Sequence, residues 1–264
     1  MKTPISVYSQ PVSLFQTWKS RGIYHLWNWE PELDANGHPT VSMLQYLDAA
    51  QAAGVKVAIQ FGTPSPIPYH HPAIYAFTLP DEYDNRVVSK MGTNNPPNLT
   101  VAQALAVEQL YEQAEAWCDL ARTKRPDLAI MGSFSADQEQ YAKAIYPRLI
   151  APLDFYGWDY YFDLRDLTGQ DWTDRNAAMI AINPTKAAFS WISSARQNNP
   201  GGYYPNERAP TTQSMAYQID SLEYSRLQWC VFPDSFPPPN FQYDATAQDI
   251  ADLITMRAYL APPT

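Results

Sequence analysis

Phe77-Thr78-Leu79-Pro80-Asp81-Glu82-Tyr83-Asp84 sets an apolar run against three carboxylates within four positions. A short apolar run of this kind reads as a buried strand. The carboxylates then stand at its carboxyl end, where ligands bind and chemistry takes place in a parallel α/β sheet or barrel. A carboxyl group held protonated there by a low-dielectric cleft can act as a general acid. A solvated turn would use the same residues for solubility, so the rest of the chain has to decide between the two.

Working outward, short apolar runs alternate with amphipathic helical stretches, the pattern of a parallel sheet covered by helices. Eight such units can be counted. Strands are expected at 5–10, 23–29, 55–61, 76–80, 128–134, 153–160, 187–192 and 228–232. Helices are expected at 14–21, 41–53, 101–124, 138–150, 177–182, 212–227 and 247–260. Gly54 ends the second helix and Thr100 caps the third. The Pro-rich stretch 63–72 holds at most a short helix, and 83–99, rich in Asn, Pro and Gly, reads as a long insert. The 264 residues match one (β/α)8 barrel of about 250 residues, so the expected architecture is α/β, a single domain over 1–264 with long loops after its strands.

Hydrophobic residues make up 45% of the chain and charged residues 17%, enough for a large core and little sign of disorder. The net charge of −9 disfavours nucleic acid and anionic membranes as partners. No 18-residue apolar run is present, so no spanning helix is expected. Met1-Lys2-Thr3-Pro4 lacks an apolar signal region, which points to an intracellular protein or to a secreted one that has lost a leader. Two cysteines, Cys118 and Cys230, cannot form a disulfide framework and are expected to be reduced. No phosphate-cradling glycine motif appears, and no cofactor is expected. His70-His71 suggests metal, but zinc needs three or four ligands and the other histidines, His25 and His38, lie elsewhere. No Gly-x-Ser-x-Gly elbow is present either.

In a barrel, the site is read from the strand ends. These offer Tyr8, Trp29 and Glu30, Gln60, Asp81 and Glu82, then Ser133 and Ser135. The later strands offer Trp158, Asp159 and Tyr160, then Trp191, and last Trp229 followed by Asp234. Carboxylates interleave with Trp, Tyr and Gln, and Trp and Tyr account for 8 and 18 residues of the chain. Such flat rings with polar edges suit the apolar faces of sugars. The chemistry that fits is glycosidic bond cleavage, in which one carboxylic acid protonates the leaving oxygen and a second carboxylate attacks the anomeric carbon or activates water. Glu82 is the candidate acid. Asp159 is the preferred second carboxylate, because strands four and six can face one cleft. Asp81, Glu30 and Asp234 stand behind it.

Four segments carry a resemblance to the TIM-barrel glycoside hydrolase superfamily, and within it to a poorly characterised group of hydrolase-like barrels. Phe15-Gln16-Thr17-Trp18-Lys19-Ser20-Arg21-Gly22-Ile23 resembles the joint between first helix and second strand, and Ala53-Gly54-Val55-Lys56-Val57 the approach to strand three. Leu79-Pro80-Asp81-Glu82 resembles a strand-four motif that often reads Asp-Glu-Pro-Asp, with Tyr83 here in place of the Pro. Arg208-Ala209-Pro210-Thr211 and Val231-Phe232-Pro233-Asp234-Ser235 resemble the closing third. The resemblance implies a glycosidase of poly- or oligosaccharides with Glu82 as acid/base. It fails at strand seven, where such enzymes often carry the nucleophile and this chain reads Ser190-Trp191-Ile192-Ser193. Asp-Glu pairs also serve enzymes that recruit the substrate's own acetamido group. That role for Asp81 conflicts with the alternation of neighbouring strand residues between faces. The rival expectations are a carbohydrate-binding barrel without catalysis and a polysaccharide lyase on the same fold.

Overall fold

A computed structural model describes residues 5–8, 12–20, 24–27, 41–63, 65–92, 98–135, 141–159, 169–191 and 227–232. Among these are eight strands: β1 (Ile5–Tyr8), β2 (His25–Trp27), β3 (Lys56–Gln60), β4 (Ile74–Thr78), β5 (Ala129–Ser135), β6 (Phe155–Asp159), β7 (Ala187–Trp191) and β8 (Leu227–Phe232). All pair in parallel with their neighbours in chain order, and β8 pairs with β1, so the ring closes. The helices among them are α1 (Phe15–Ser20), α2 (Met43–Ala53), α3 (Tyr83–Met91), α4 (Val101–Lys124), α5 (Ala142–Ile150) and α6 (Gly169–Ile182). β1, β7 and β8 are described by backbone alone, and the expected helices 212–227 and 247–260 lie outside the described residues.

Strand alternation sorts the core into two layers. Leu26, Val57, Ile59, Ile74, Phe77, Ile130 and Phe134 face outward and pack with Leu47, Ala50, Val107, Ala114, Cys118 and Ala121 of the helices. The residues between them, Trp27, Ala58, Ala76 and Met131, form a separate buried cluster inside the ring, flanked by Ala129 and Phe155. Two alanines packed in one cluster with Trp27 and Met131 leave room for the large side chains, the small-against-large packing that fills a closed barrel. The pairing of β3 with β4 slips by one residue between Val57 and Ala58, a bulge that sets Tyr75 outside the regular register.

Local chemistry fixes the helix ends. Ser42 caps α2 in a reciprocal box with Gln45, and Thr100 caps α4 in the same way with Gln103. Gly62, at φ +76°, turns the chain out of β3, and a Cβ there would meet the Trp117 ring at 3.2 Å. At the opposite end of the ring, Asp154 accepts the Ile130 amide at 2.8 Å and pairs with Arg122 at 3.1 Å.

Three expectations need correction. The stretch expected as an irregular insert from 83 begins with helix α3. The helix expected at 177–182 is only the end of α6, which starts at Gly169. β4 ends at Thr78, two residues before Pro80, so Asp81 and Glu82 lie beyond the strand and its alternation does not bear on them.

Candidate active site

β4 delivers the chain to a tight corner. The Leu79 amide still bonds to Met131 O at 2.8 Å, and the Phe61 amide to Thr78 O at 2.8 Å, so the backbone is held on both sides up to Leu79. The Asp81 amide donates to Gln60 Oε1 at 3.4 Å, a link from the end of β3 to the turn. Glu82 then adopts φ 46°, ψ 45°. It is the only non-glycine residue with positive φ among those described. The left-handed region costs an L-residue with a Cβ roughly 1–2 kcal/mol, so its occupation by glutamate is a held strain of the kind that gathers at functional sites. The turn stays because α3 starts at the next residue: the Asn85 amide donates to Glu82 O at 2.9 Å, and Asn85 Nδ2 donates to Glu82 Oε2 at 2.7 Å.

Behind Glu82, Asp84 points into the protein and is fully buried. Its two oxygens accept the Ser135 amide, each at 3.0 Å, and Oδ2 lies 2.7 Å from the Tyr146 hydroxyl. Burial pushes the Asp84 carboxyl up to about 7, the Ser135 amide and the Tyr146 hydroxyl pull it down, and the nearby Glu82 charge raises it. Sequence reasoning counted Asp84 in the acidic run but gave it no role. The missed signal is helical spacing: Asp84 stands three and seven residues before Val87 and Met91, both buried on the inner side of α3.

The interior of the ring near this corner is polar. Thr78, Ser133 and Ser135 are buried at the carboxyl ends of β4 and β5. Thr78 Oγ1 has no hydrogen-bond partner among the described residues. Asp159 closes β6 opposite Ser135 in the backbone register. Glu82 and Asp159 are thereby linked through one strand end, with Asp84 on Ser135 and Ser135 on Asp159. Tyr8 ends β1, Trp191 ends β7 and Trp229 lies in β8, each known by backbone position. Trp29, Glu30, Tyr160 and Asp234 lie outside the described residues. Trp158, expected among the strand-end groups, is instead buried on the outer face of the sheet, its ring 6.0 Å from Tyr146.

The histidine pair sits elsewhere, in the β3–β4 connection. His71 Nδ1 accepts the Ala73 amide at 3.2 Å, which leaves Nε2 to donate to Asp48 at 3.2 Å. Among the described residues no three His, Cys, Asp or Glu side chains converge as metal ligands, and no helix is long and apolar enough to cross a membrane. Cys118 is a free buried thiol, pushed up to about 12 by desolvation.

A β-galactosidase from Rahnella sp. R3 superposes over 99% of this chain with a TM-score of 0.70 at 11% identity. A glycoside hydrolase family 17 β-1,3-glucanosyltransferase from Rhizomucor miehei covers 89% of the chain, TM-score 0.55, identity 8%. The chain shares its fold with glycoside hydrolases. A β-glucuronidase from Bacteroides uniformis matches over 87% of the chain, TM-score 0.56, identity 10%. The chain spans 57% of the Rahnella enzyme and 30% of the Bacteroides enzyme. No family model and no curated protein sequence matches it.

Proposed function

We propose that the chain is a single-domain (β/α)8 glycoside hydrolase over residues 1–264, with Glu82 as general acid/base and Asp159 as second carboxylate. The observation that carries this reading is the backbone of Glu82. A glutamate held left-handed at the carboxyl end of a barrel strand, with one carboxylate oxygen steadied by Asn85, is a group presented at a cost in stability. The shared fold with enzymes that cleave or transfer glycosyl groups supports it. Asp81 belongs to the same corner and would orient substrate beside Glu82. Tyr8, Trp29, Glu30, Gln60, Tyr160, Trp191, Trp229 and Asp234 would line subsites for a poly- or oligosaccharide. The buried Thr78 hydroxyl, with no partner among the described residues, suits a bound water or a sugar hydroxyl.

In this mechanism the Glu82 carboxylic acid gives its proton to the glycosidic oxygen as the bond to the anomeric carbon breaks. Asp159 either bonds to that carbon or takes a proton from an attacking water. A carboxyl separation of about 5–5.5 Å belongs to the first course and about 6.5–9.5 Å to the second. The deciding experiment is product analysis on a panel of p-nitrophenyl glycosides and oligosaccharides with the wild type and Glu82→Gln. Loss of about 10²–10⁴-fold in turnover with unchanged folding is expected. Near wild-type turnover in the variant rejects the assignment.

One observation favours a second reading. β7, Ala187–Trp191, carries no carboxylate where related barrels often place a nucleophile. A carbohydrate-binding barrel without catalysis accounts for that. It would bind oligosaccharides in calorimetry and release no product from any of them.

A further inference from the structure

Among the described residues Asp84 is the only fully buried Asp, Glu, Lys or Arg, and the proposed reaction makes no use of it. Its surroundings can be counted in protons. The Tyr146 hydroxyl has one proton to give and two oxygens within reach, Asp84 Oδ2 at 2.7 Å and Ser135 O at 3.0 Å. If Asp84 is ionised, both are acceptors and one close contact lacks its proton. If Asp84 carries a proton on Oδ2, it donates to Tyr146 Oη, Tyr146 donates to Ser135 O, and the Ser135 amide is still shared between the two Asp84 oxygens. Each of these contacts is then a hydrogen bond, as a buried network requires.

We propose that Asp84 is held as the neutral acid and is a positioning residue that braces the Glu82 corner against the end of β5. The proposal rests on the reading of Glu82 as the acid. The brace runs from Asp84 in the first turn of α3, two residues past the left-handed Glu82, to Ser135, whose backbone faces Asp159 in the β5–β6 register. It ties together the two arms that carry the proposed carboxylates. The groups that face Asp84 are the Ser135 amide from β5, the Tyr146 hydroxyl from α5, and the Glu82 carboxylate at the start of α3. From α4, the Cys118 thiol acts on Tyr83 and not on Asp84. Deprotonation would put a negative charge beside Glu82 and leave Tyr146 with two acceptors, loosening the corner.

The sign follows from linkage. The folded group holds its proton up to about 7, against 3.8 as the ordinary value. Its contribution to stability is therefore complete below the ordinary value and is lost as pH rises through the folded value. Thermal melts across this window test it, on wild type, Asp84→Asn and Asp84→Ala. In Asp84→Asn the amide nitrogen can donate to Tyr146 and the amide oxygen can accept from Ser135, so the neutral pattern is kept at every pH. The wild-type Tm should fall as pH rises from about 4 to about 8, the Asn variant should stay level, and the Ala variant should be low throughout. Amide exchange at Asn85 and Ser135 should be slow in the Asn variant and fast in the Ala variant. On p-nitrophenyl glycosides, the alkaline loss of wild-type kcat should shift to higher pH in the Asn variant with KM unchanged.

An Asn variant whose melt profile parallels wild type overturns the proposal, as does one as unstable as the Ala variant at about pH 5. If neither wild type nor the Asn variant turns over any glycoside, the Glu82 reading falls. The melts and exchange rates still decide whether Asp84 is a neutral brace.

Discussion

Glu82 occupies backbone space that glycine would fill without strain, and that makes its own replacement informative. Glu82→Gly should raise stability by about 1 kcal/mol, since the left-handed penalty outweighs the side chain's half-buried contact with Asn85. Chemical denaturation measures it, and a clear loss of stability would show that the Asn85 contact matters more than the strain. The same variant should have no glycosidase activity, so stability and activity move in opposite directions at one residue. Such opposition was half legible in the sequence. The acidic run at 81–84 stood out because it ended an apolar strand, but backbone strain leaves no trace in residue identity. Asp84 was hidden for another reason. Beside two other carboxylates it looked like part of a solvated turn, and only the period of Val87 and Met91 places it on a buried helical face.

At the scale of elements, the caps and close approaches carry the predictions. Thr100→Ala removes the acceptor of the Gln103 amide at the start of α4 and should cost about 1 kcal/mol. Gly62→Ala meets both a positive φ and the Trp117 ring, so it should cost at least about 1–2 kcal/mol. Thermal unfolding with matched controls checks both, and a neutral Gly62→Ala would mean that Trp117 moves aside easily. Strands were legible as apolar runs, and α2 and α4 as apolar periods closed by caps. α3 was not. Its first turn has no capping side chain, its interior reads Asp84-Asn85-Arg86, and the Asn- and Pro-rich segment after it drew the whole stretch into a loop. The early part of α6 was masked by the same kind of polar run.

For the whole molecule, the strand order followed from the rhythm of strands and helices, because parallel neighbours with helical crossovers leave few other solutions. Closure adds a prediction of its own. β8 is bonded on both sides, to β7 and β1. A chain cut before Leu227 should leave two bare parallel edges and associate through them. Size-exclusion chromatography would detect this, and a well-behaved monomer would mean that the ring tolerates an opening. The aromatic and acidic composition narrowed the ligand class without naming a ligand, since composition does not say which rings reach the ring's interior. Trp27 and Trp158 make the point: both are buried, one inside the barrel and one outside it.

Gln103 has a use beyond its cap. While its oxygen accepts at Thr100, its nitrogen donates to Met91 O at 2.7 Å, so the end of α3 and the start of α4 are stitched by a single side chain. The two flanks of the segment between Gly92 and Asn98 are thus anchored independently of the segment's own length. The cost of closing a chain segment grows only slowly with added residues, so a reporter or a second binding module inserted between these two anchors should leave the barrel's stability nearly unchanged.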